Sequence, residues 1–490
     1  MLWKTWKRQL FGMCAVVVVT VPLGACTTLG ELSGGLVGDE KALPEGLRTI
    51  DAAWIEGLST AEHTVSAGGT TITSTYPVVP GATDFTVEVR TTMAERETEF
   101  VTEGQGGELE QHAEFLVASG GVLGARVVSR VGEQVRASSH WYDAASGEAL
   151  PWTALLNGED AIGHLGARVA LALSEEHGVA ADAMPEGLPA PGDELAPSPD
   201  EEEPGLVDPD AAWQSAADHE GSALADIGFD AAGDLVVSFS PGEVADDEVQ
   251  VRVADSEPLL SRFGRTARQA VVDDEQSLQL ASDQPPSHTL DCDRVPCVAL
   301  TFDDGPGADT ALLLDHLDAY SAKATFYVLG QLTASDPDTV RRAAEAGHEV
   351  ANHSWKHDNL ATKSGGAVRE DIESTWAAIE DAAGAERTTV RPPYGSFNET
   401  TQANVDYPLI LWDVDTLDWE HRDTDRTVEA AVSGTQPGSI VLFHDIHRPT
   451  VDAIPEVLSR LHARGYHFVT VTELFADRTL EPGVAYTRRD

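Results

Sequence analysis

The chain has 490 residues, 42% of them apolar, enough for more than one hydrophobic core, so wholesale disorder is excluded. Acidic residues number 82 against 32 basic ones, a net charge of −50. That charge argues against nucleic acid as a partner and against broad adhesion to anionic lipid, both of which need a basic face.

The chain opens on a sorting signal. Lys4, Lys7 and Arg8 precede an apolar run from Leu10 to Leu23 that is too short to span a bilayer comfortably. The run ends in Leu23-Gly24-Ala25-Cys26, which resembles the bacterial lipobox. The resemblance implies a signal peptide over 1–25, lipidation of Cys26 and a flexible tether over 26–50. The protein would then sit on the extracytoplasmic face of a bacterial cell membrane, anchored by lipid, or be secreted if Cys26 is not acylated. In that oxidising setting, Cys292 and Cys297 predict a local disulfide that fixes the start of the strand after it. A zinc site there lacks a second cysteine pair.

Residues 51–270 read as one α+β module. Phe85, Val87 and Val89 alternate with polar residues and predict a half-buried strand. Val249, Val251 and Val253 repeat that pattern, Leu235-Val236-Val237 with Phe239 predicts another strand, and Ala161–Leu173 reads as helix. An acidic, proline-rich insertion over 184–210 and a linker over 271–291 read as loops.

From Cys292 short apolar runs alternate with helical segments. Strands are predicted at Val298–Phe302, Ala324–Val328, Glu349–Asn352, Thr389–Arg391, Leu409–Val414, Ser439–Phe443 and His467–Val471. Helices are predicted at Thr310–Tyr320, Asp338–Ala346, Gly366–Ala383, Arg426–Val432 and Val451–Arg464. About seven β-α units argue for an α/β fold built on a parallel sheet or barrel, whose chemistry gathers at the C-terminal ends of the strands.

The strand ends carry reactive residues. The first runs into Thr301-Phe302-Asp303-Asp304-Gly305-Pro306, where one carboxylate can bind a metal while the other polarises water. The third ends in Asn352-His353-Ser354-Trp355-Lys356-His357, with two imidazoles spaced to share one ion. With Asp304 they make a three-ligand set that leaves a position for water. The fourth ends in Arg391-Pro392-Pro393-Tyr394-Gly395, the fifth in Asp415-Thr416-Leu417-Asp418-Trp419, and the sixth in Leu442-Phe443-His444-Asp445. His316, His462, His467 and Trp376 read as ordinary surface or core, whereas His447 lies near the site.

Taken in order, these segments resemble the five motifs of polysaccharide deacetylases with a NodB homology domain, carbohydrate esterase family four, over residues 292–478, leaving 479–490 as a tail. The resemblance implies a distorted (β/α) barrel preceded by a smaller α+β domain. It implies a metal held by Asp304, His353 and His357, most commonly zinc, with cobalt, nickel and iron as chemical alternatives. Asp303 would be the general base and Arg391 its partner. His444 would be the general acid, kept cationic by Asp418. The backbone N–H of Tyr394 would face the oxyanion, and Trp419, Leu442 and Pro393 would wall the acetyl pocket. The implied activity is hydrolysis of N-acetyl groups on cell-wall amino sugars, GlcNAc or MurNAc. The alternatives are an O-acetyl polysaccharide esterase or a chitooligosaccharide deacetylase.

Upstream, Tyr76-Pro77, Leu150-Pro151-Trp152 with Leu155-Leu156, and Phe239-Ser240-Pro241-Gly242-Glu243-Val244 resemble the RsiV/PdaC-type extracellular domain. That resemblance implies a wall-positioning spacer or a lysozyme-binding module in residues 51–270. The second option would make the chain a surface sensor rather than chiefly an enzyme.

Overall fold

The structure is a computed structural model that describes residues 46–55, 57–104, 106–191, 221–275, 277–280 and 289–490. The signal peptide, Cys26, most of the tether and most of the acidic insertion lie outside the described residues.

The first half is β-rich. Strands β1 (Ser59–Ala67) and β2 (Thr70–Val78) lead into helix α1 (Thr83–Thr102), followed by β3 (Gly107–Ser119), β4 (Val122–Val131), β5 (Gln134–Asp143) and β6 (Glu148–Pro151). These strands form one six-stranded sheet in chain order. All neighbours are antiparallel except β2 and β3, which are parallel because α1 crosses between them. Helix α2 (Gly158–Glu175), the antiparallel sheet of β7 (Ile227–Phe229), β8 (Leu235–Phe239) and β9 (Val249–Val253), and helix α3 (Arg262–Asp273) pack around Trp141.

The strand expected at Phe85–Val89 is helix instead, the start of α1. Phe85, Val89 and Met93 are all buried, a spacing of four that fits a helix. A five-residue window cannot separate that period from strict alternation, and Val87, the residue that suggested a strand, is less buried than Thr86. The other two strands and the Ala161–Leu173 helix appear as β8, β9 and α2.

The second half alternates strand and helix. It contains β10 (Cys297–Asp303), α4 (Thr310–Asp318), β11 (Thr325–Val328), α5 (Pro337–Glu345), β12 (Glu349–Asn352), α6 (Gly365–Ala383), β13 (Leu409–Ile410), β14 (Val414–Asp415), α7 (Thr424–Gly434), β15 (Ile440–His444), α8 (Arg448–His462), β16 (His467–Phe468) and β17 (Ala485–Tyr486), besides single helical turns. The central sheet is parallel, in the order β12-β11-β10-β15-β14. Isolated parallel bridges from Asn352 to Val390 and from Val390 to Leu409 extend it, and β16 pairs with the start of β10. The α/β class stands as expected, but the ladders do not close into a regular barrel. The expected strand at Thr389–Arg391 is a bridge, and the one at Leu409–Val414 is split into β13 and β14 around Leu411, Trp412 and Asp413.

Both faces of this sheet are buried, as a parallel sheet requires. Phe302 stacks on Phe326 and Phe443 at 5.3 and 5.4 Å under the helices. Ala299, Tyr327, Ala351, Ile410 and Ile440 fill the other side.

Helix α1 is wedged between its own sheet and the second half. Arg294 lies in the loop closed by the Cys292–Cys297 disulfide, and its guanidinium reaches Glu88 at 2.6 Å and Glu95 at 2.8 Å. Glu97 accepts from His462 at 3.0 Å, and the Thr98 hydroxyl meets His467 Nε2 at 2.9 Å. His462 and His467 are therefore docking residues rather than free surface. The described part of the expected linker is also pinned, with the Gln279 N–H donating to Gly120 and that of Asp291 to Thr91. Removing the Arg294 charge by Arg294→Ala leaves two half-buried carboxylates without their cation. It should lower the unfolding free energy by about 1–3 kcal/mol, measured by urea denaturation of the full chain.

Candidate active site

Strand register assembles the site. Asp303, the last residue of β10, pairs with His444 on β15 and Tyr327 on β11, while Asn352 at the end of β12 pairs with Val328. Loops leaving these ends then turn sharply over the sheet. Asp304, Ser354, His357, Tyr394 and Leu417 all have positive φ, between 56° and 73°, although none is glycine. Such conformations cost about 1–3 kcal/mol each and persist where surrounding structure enforces them. Here the enforcement is visible. The Ser354 N–H donates to Asn352 Oδ1 and its hydroxyl accepts from the His357 N–H, while the Trp355 N–H donates to Asp371.

Asp304, His353 and His357 converge, with one ligand atom from each lying within 4.8 Å of the others. Asp304 Oδ1 is 3.5 Å from His353 Nε2 and 3.3 Å from His357 Nε2. That oxygen is buried without a hydrogen-bond partner, an arrangement a divalent cation would satisfy. The His353 ring is turned by its Nδ1 contact with the Arg391 carbonyl at 2.7 Å, which leaves Nε2 facing the ligand set. Burial holds the His357 imidazole below its ordinary range, which favours the neutral form that ligates. The donor set therefore fits a divalent metal.

Beside it stands a permanent ion pair. Arg391 has no exposed surface, and its Nη1 donates to Asp303 Oδ1 at 2.8 Å and to the Thr301 hydroxyl at 2.7 Å. Nε and Nη2 donate to the carbonyls of Ile410 and Leu411, and the guanidinium lies 4.1 Å over the Tyr327 ring. Asp303 is itself almost wholly buried, so this cation holds a carboxylate where water cannot.

Across the site, His444 Nδ1 meets Asp418 Oδ1 at 2.8 Å. Asp418 Oδ2 accepts from the His444 N–H and the Thr450 hydroxyl. Burial works against protonation of His444, but the Asp418 hydrogen bond and charge, with Asp303 and Asp304 adding, push its pKa up to about 9. Burial opposes ionisation of Asp418, yet His444 and Thr450 hold its pKa below the ordinary carboxylate value. Tyr394 is 68% exposed with its ring 4.4 Å from that of His357, Trp419 is 47% exposed, and Leu442 and Pro393 are buried.

The structure thus brings Asp303, Asp304, His353, His357, Arg391, Tyr394, Asp418 and His444 to one end of the sheet, while Trp419, Leu442 and Pro393 are their chain neighbours and the Cys292–Cys297 disulfide lies in a separate loop. It adds groups the sequence did not single out. Tyr327 and Thr301 line the Arg391 cradle, Thr450 braces Asp418, and Asp371 holds the turn before His357. Asp445 lies beneath Gly305, where an added Cβ would come within 2.6 Å of both carboxylate oxygens, so the turn needs glycine. Burial raises the Asp445 pKa to about 7, and its carboxylate accepts from Thr310. Only Asp445 and Thr301 carried a signal, as members of the quoted strand-end segments.

A family model for polysaccharide deacetylase matches residues 291–409. A peptidoglycan-N-acetylglucosamine deacetylase of Bacillus cereus is 34% identical over 220 residues, 41% of this chain and 80% of that protein. The chain belongs to the polysaccharide deacetylase family. Peptidoglycan-N-acetylglucosamine deacetylase PgdA of Listeria monocytogenes is 40% identical over 190 residues, 39% of this chain and 41% of PgdA. Peptidoglycan-N-acetylmuramic acid deacetylase PdaC of Bacillus subtilis is 40% identical over 178 residues, 36% of this chain and 38% of PdaC. A solved PdaC structure aligns over 38% of this chain and 91% of that chain, at 39% identity and a TM-score of 0.37. The match thus spans about two fifths of the length of PgdA and PdaC.

A raised histidine pKa means that the His444–Asp418 pair contributes stability in full below 6.5, the ordinary value, and loses it as pH rises through about 9. In metal-free protein, Asp418→Asn should bring the His444 pKa down by more than about 1 unit, read by NMR titration of the imidazole.

Proposed function

We propose that this chain is a metal-dependent deacetylase that hydrolyses N-acetyl groups on cell-wall amino sugars, GlcNAc or MurNAc of peptidoglycan. The observation that carries the reading is a pair of differently tuned proton carriers flanking one ligand set. Asp303 is held by a permanent cation, and His444 is held cationic by Asp418. Amide hydrolysis needs both, a base for the attacking water and an acid for a poor amine leaving group.

Asp304, His353 and His357 would hold the divalent metal, zinc by the chemistry of two imidazoles and a carboxylate. When bound, the metal acidifies a water and polarises the acetyl carbonyl. Asp303 takes the proton of the attacking water, and Arg391 keeps the carboxylate oriented between turnovers. His444 gives its proton to the departing amine nitrogen, and Asp418 stabilises the imidazolium until then. The Tyr394 backbone N–H faces the developing oxyanion. Trp419, Leu442 and Pro393 wall the acetyl pocket.

Cys26 in its lipobox-like context would anchor the chain at the membrane, so that the enzyme meets wall polymer close to the cell surface. The upstream module, docked through α1, would set the position of the site relative to that anchor. Lysozyme binding remains its alternative role.

Acetate release from purified peptidoglycan by the metal-loaded full chain tests the reading. Asp303→Asn should lower kcat about 10²–10⁴-fold with the fold intact by circular dichroism. Absence of release from both peptidoglycan and chitooligosaccharide by the metal-loaded wild type would refute it. Chelation should abolish release and zinc restore it. The rise in Tm on adding zinc should disappear in Asp304→Ala.

A further inference from the structure

The lip of the site carries a cation, Arg422, that no group among the described residues pairs with. Leu417 and Arg422 bracket the single helical turn Asp418–His421, and both adopt left-handed backbone, with φ of 56° and 51°. Neither is glycine, so both ends of the turn that presents Asp418 and Trp419 are held in conformations that only a constrained site keeps. Arg422 is exposed, and its side chain makes no ion pair or hydrogen bond among the described residues. Nearby arginines are already committed, Arg391 to Asp303 and Arg448 to Asp309 and Asp452.

Two contacts fix where Arg422 stands. Its backbone N–H donates to the Asp418 carbonyl at 3.0 Å, and Asp418 is the partner of His444. Two residues on, the Thr424 hydroxyl donates to the Pro449 carbonyl at 3.0 Å, tying this segment to the first turn of α8. His447 caps that turn, with its ring 6.3 Å from the ring of His444. Burial and then the Arg422 charge hold His447 below its ordinary range, so it stands as a neutral hydrogen-bonding ring beside the arginine. Leu417, Trp419 and Ile446, which flank these segments in the chain, are all substantially exposed.

A chain of net charge −50, with Asp303, Asp304 and Asp418 at its site, repels an anionic glycan. An unspent guanidinium close enough to act on His447 offsets that repulsion locally, and its planar fork matches a carboxylate. We propose that Arg422, with His447, is a specificity-determining pair that receives a carboxylate carried by the glycan next to the acetamido group being hydrolysed. This rests on the deacetylase reading above and narrows its substrate to an anionic amino-sugar polymer. The carboxylate can come from a lactyl ether on the sugar or from a peptide attached to it.

The test compares the metal-loaded full chain with Arg422→Gln and Arg422→Lys on three substrates. These are a neutral N-acetylglucosamine oligomer, glycan strands stripped of peptide so that lactyl carboxylates are free, and strands that keep their peptides. The wild type should prefer a carboxylate-bearing strand over the neutral oligomer in kcat/KM. In Arg422→Gln that ratio should fall roughly three- to five-fold through KM, the range of an exposed ion pair. Arg422→Lys should recover part of it, and added salt should shrink the difference. A ratio that falls only for stripped strands assigns the lactyl group, and one that falls only for peptide-bearing strands assigns the peptide. A ratio unchanged by Arg422→Gln on both strand types overturns the proposal. No acetate from any substrate with wild type would instead overturn the deacetylase reading beneath it.

Discussion

The buried guanidinium of Arg391 is the constraint on which the site depends. It bonds Asp303 and Thr301 from β10 and the carbonyls of Ile410 and Leu411, while its own carbonyl orients His353. One residue therefore sets a carboxylate from the first strand and an imidazole from the third into a single frame. Its bonds leave from Nε, Nη1 and Nη2 of one rigid planar group, so lysine could hold the Asp303 charge but not the geometry. Without a cation there, Asp303 would be an uncompensated buried charge. The Tyr327 ring beneath the guanidinium completes the cradle, which explains why a large phenol stands where the facing interior positions hold alanine and isoleucine.

Against that fixed pair, Asp418 and His444 form the adjustable one. Both carboxylates are buried, but Asp303 has a partner that never titrates and Asp418 has one that does. A group that must collect a proton repeatedly needs a partner that does not itself change charge. A group that must stabilise a proton donor needs to sit beside one that does. The two ion pairs differ in the property that would separate base from acid. Parallel register brings them face to face, because Asp303 and His444 are directly paired neighbours on β10 and β15.

Much of this was legible in the chain, since strand ends that carry Asp303, His353, Arg391, Asp418 and His444 need only a parallel sheet to converge. The α/β alternation was legible for the same reason, as β10, β11, β12 and β15 are short apolar runs closed by turn residues. What failed was local. Phe85–Val89 is too short to tell two periods apart, and the burial that decides it comes from the sheet below and the domain beside it. The strands at Thr389–Arg391 and Leu409–Val414 look continuous as sequence. In the fold, Arg391 turns its backbone and side chain to site duty, and Asp413 accepts from the Ile440 N–H and the Ser439 hydroxyl instead of continuing a ladder. Thr450 and Asp371 left no trace, because a hydroxyl or carboxylate on a helix looks the same whether it faces solvent or braces a catalytic turn.

The docking of α1 bears on what the upstream module can do. Glu88, Glu95 and Glu97 face Arg294 and His462, and Thr98 faces His467, so this side of the helix is spent on the second half of the chain. Burial opposes ionisation of Glu97, but its histidine partners His63 and His462 hold its pKa well below the ordinary carboxylate range, and half-buried Glu88 is held at about 2 by His140 and Arg294 against the same penalty. Both therefore stay anionic across physiological pH. The module and the half that matches the deacetylase family lie in one compact unit. A freely swinging spacer is at odds with that arrangement. A partner of the module would have to use surface other than this face of α1, and any such partner would be held at a set distance from Asp303 and His444.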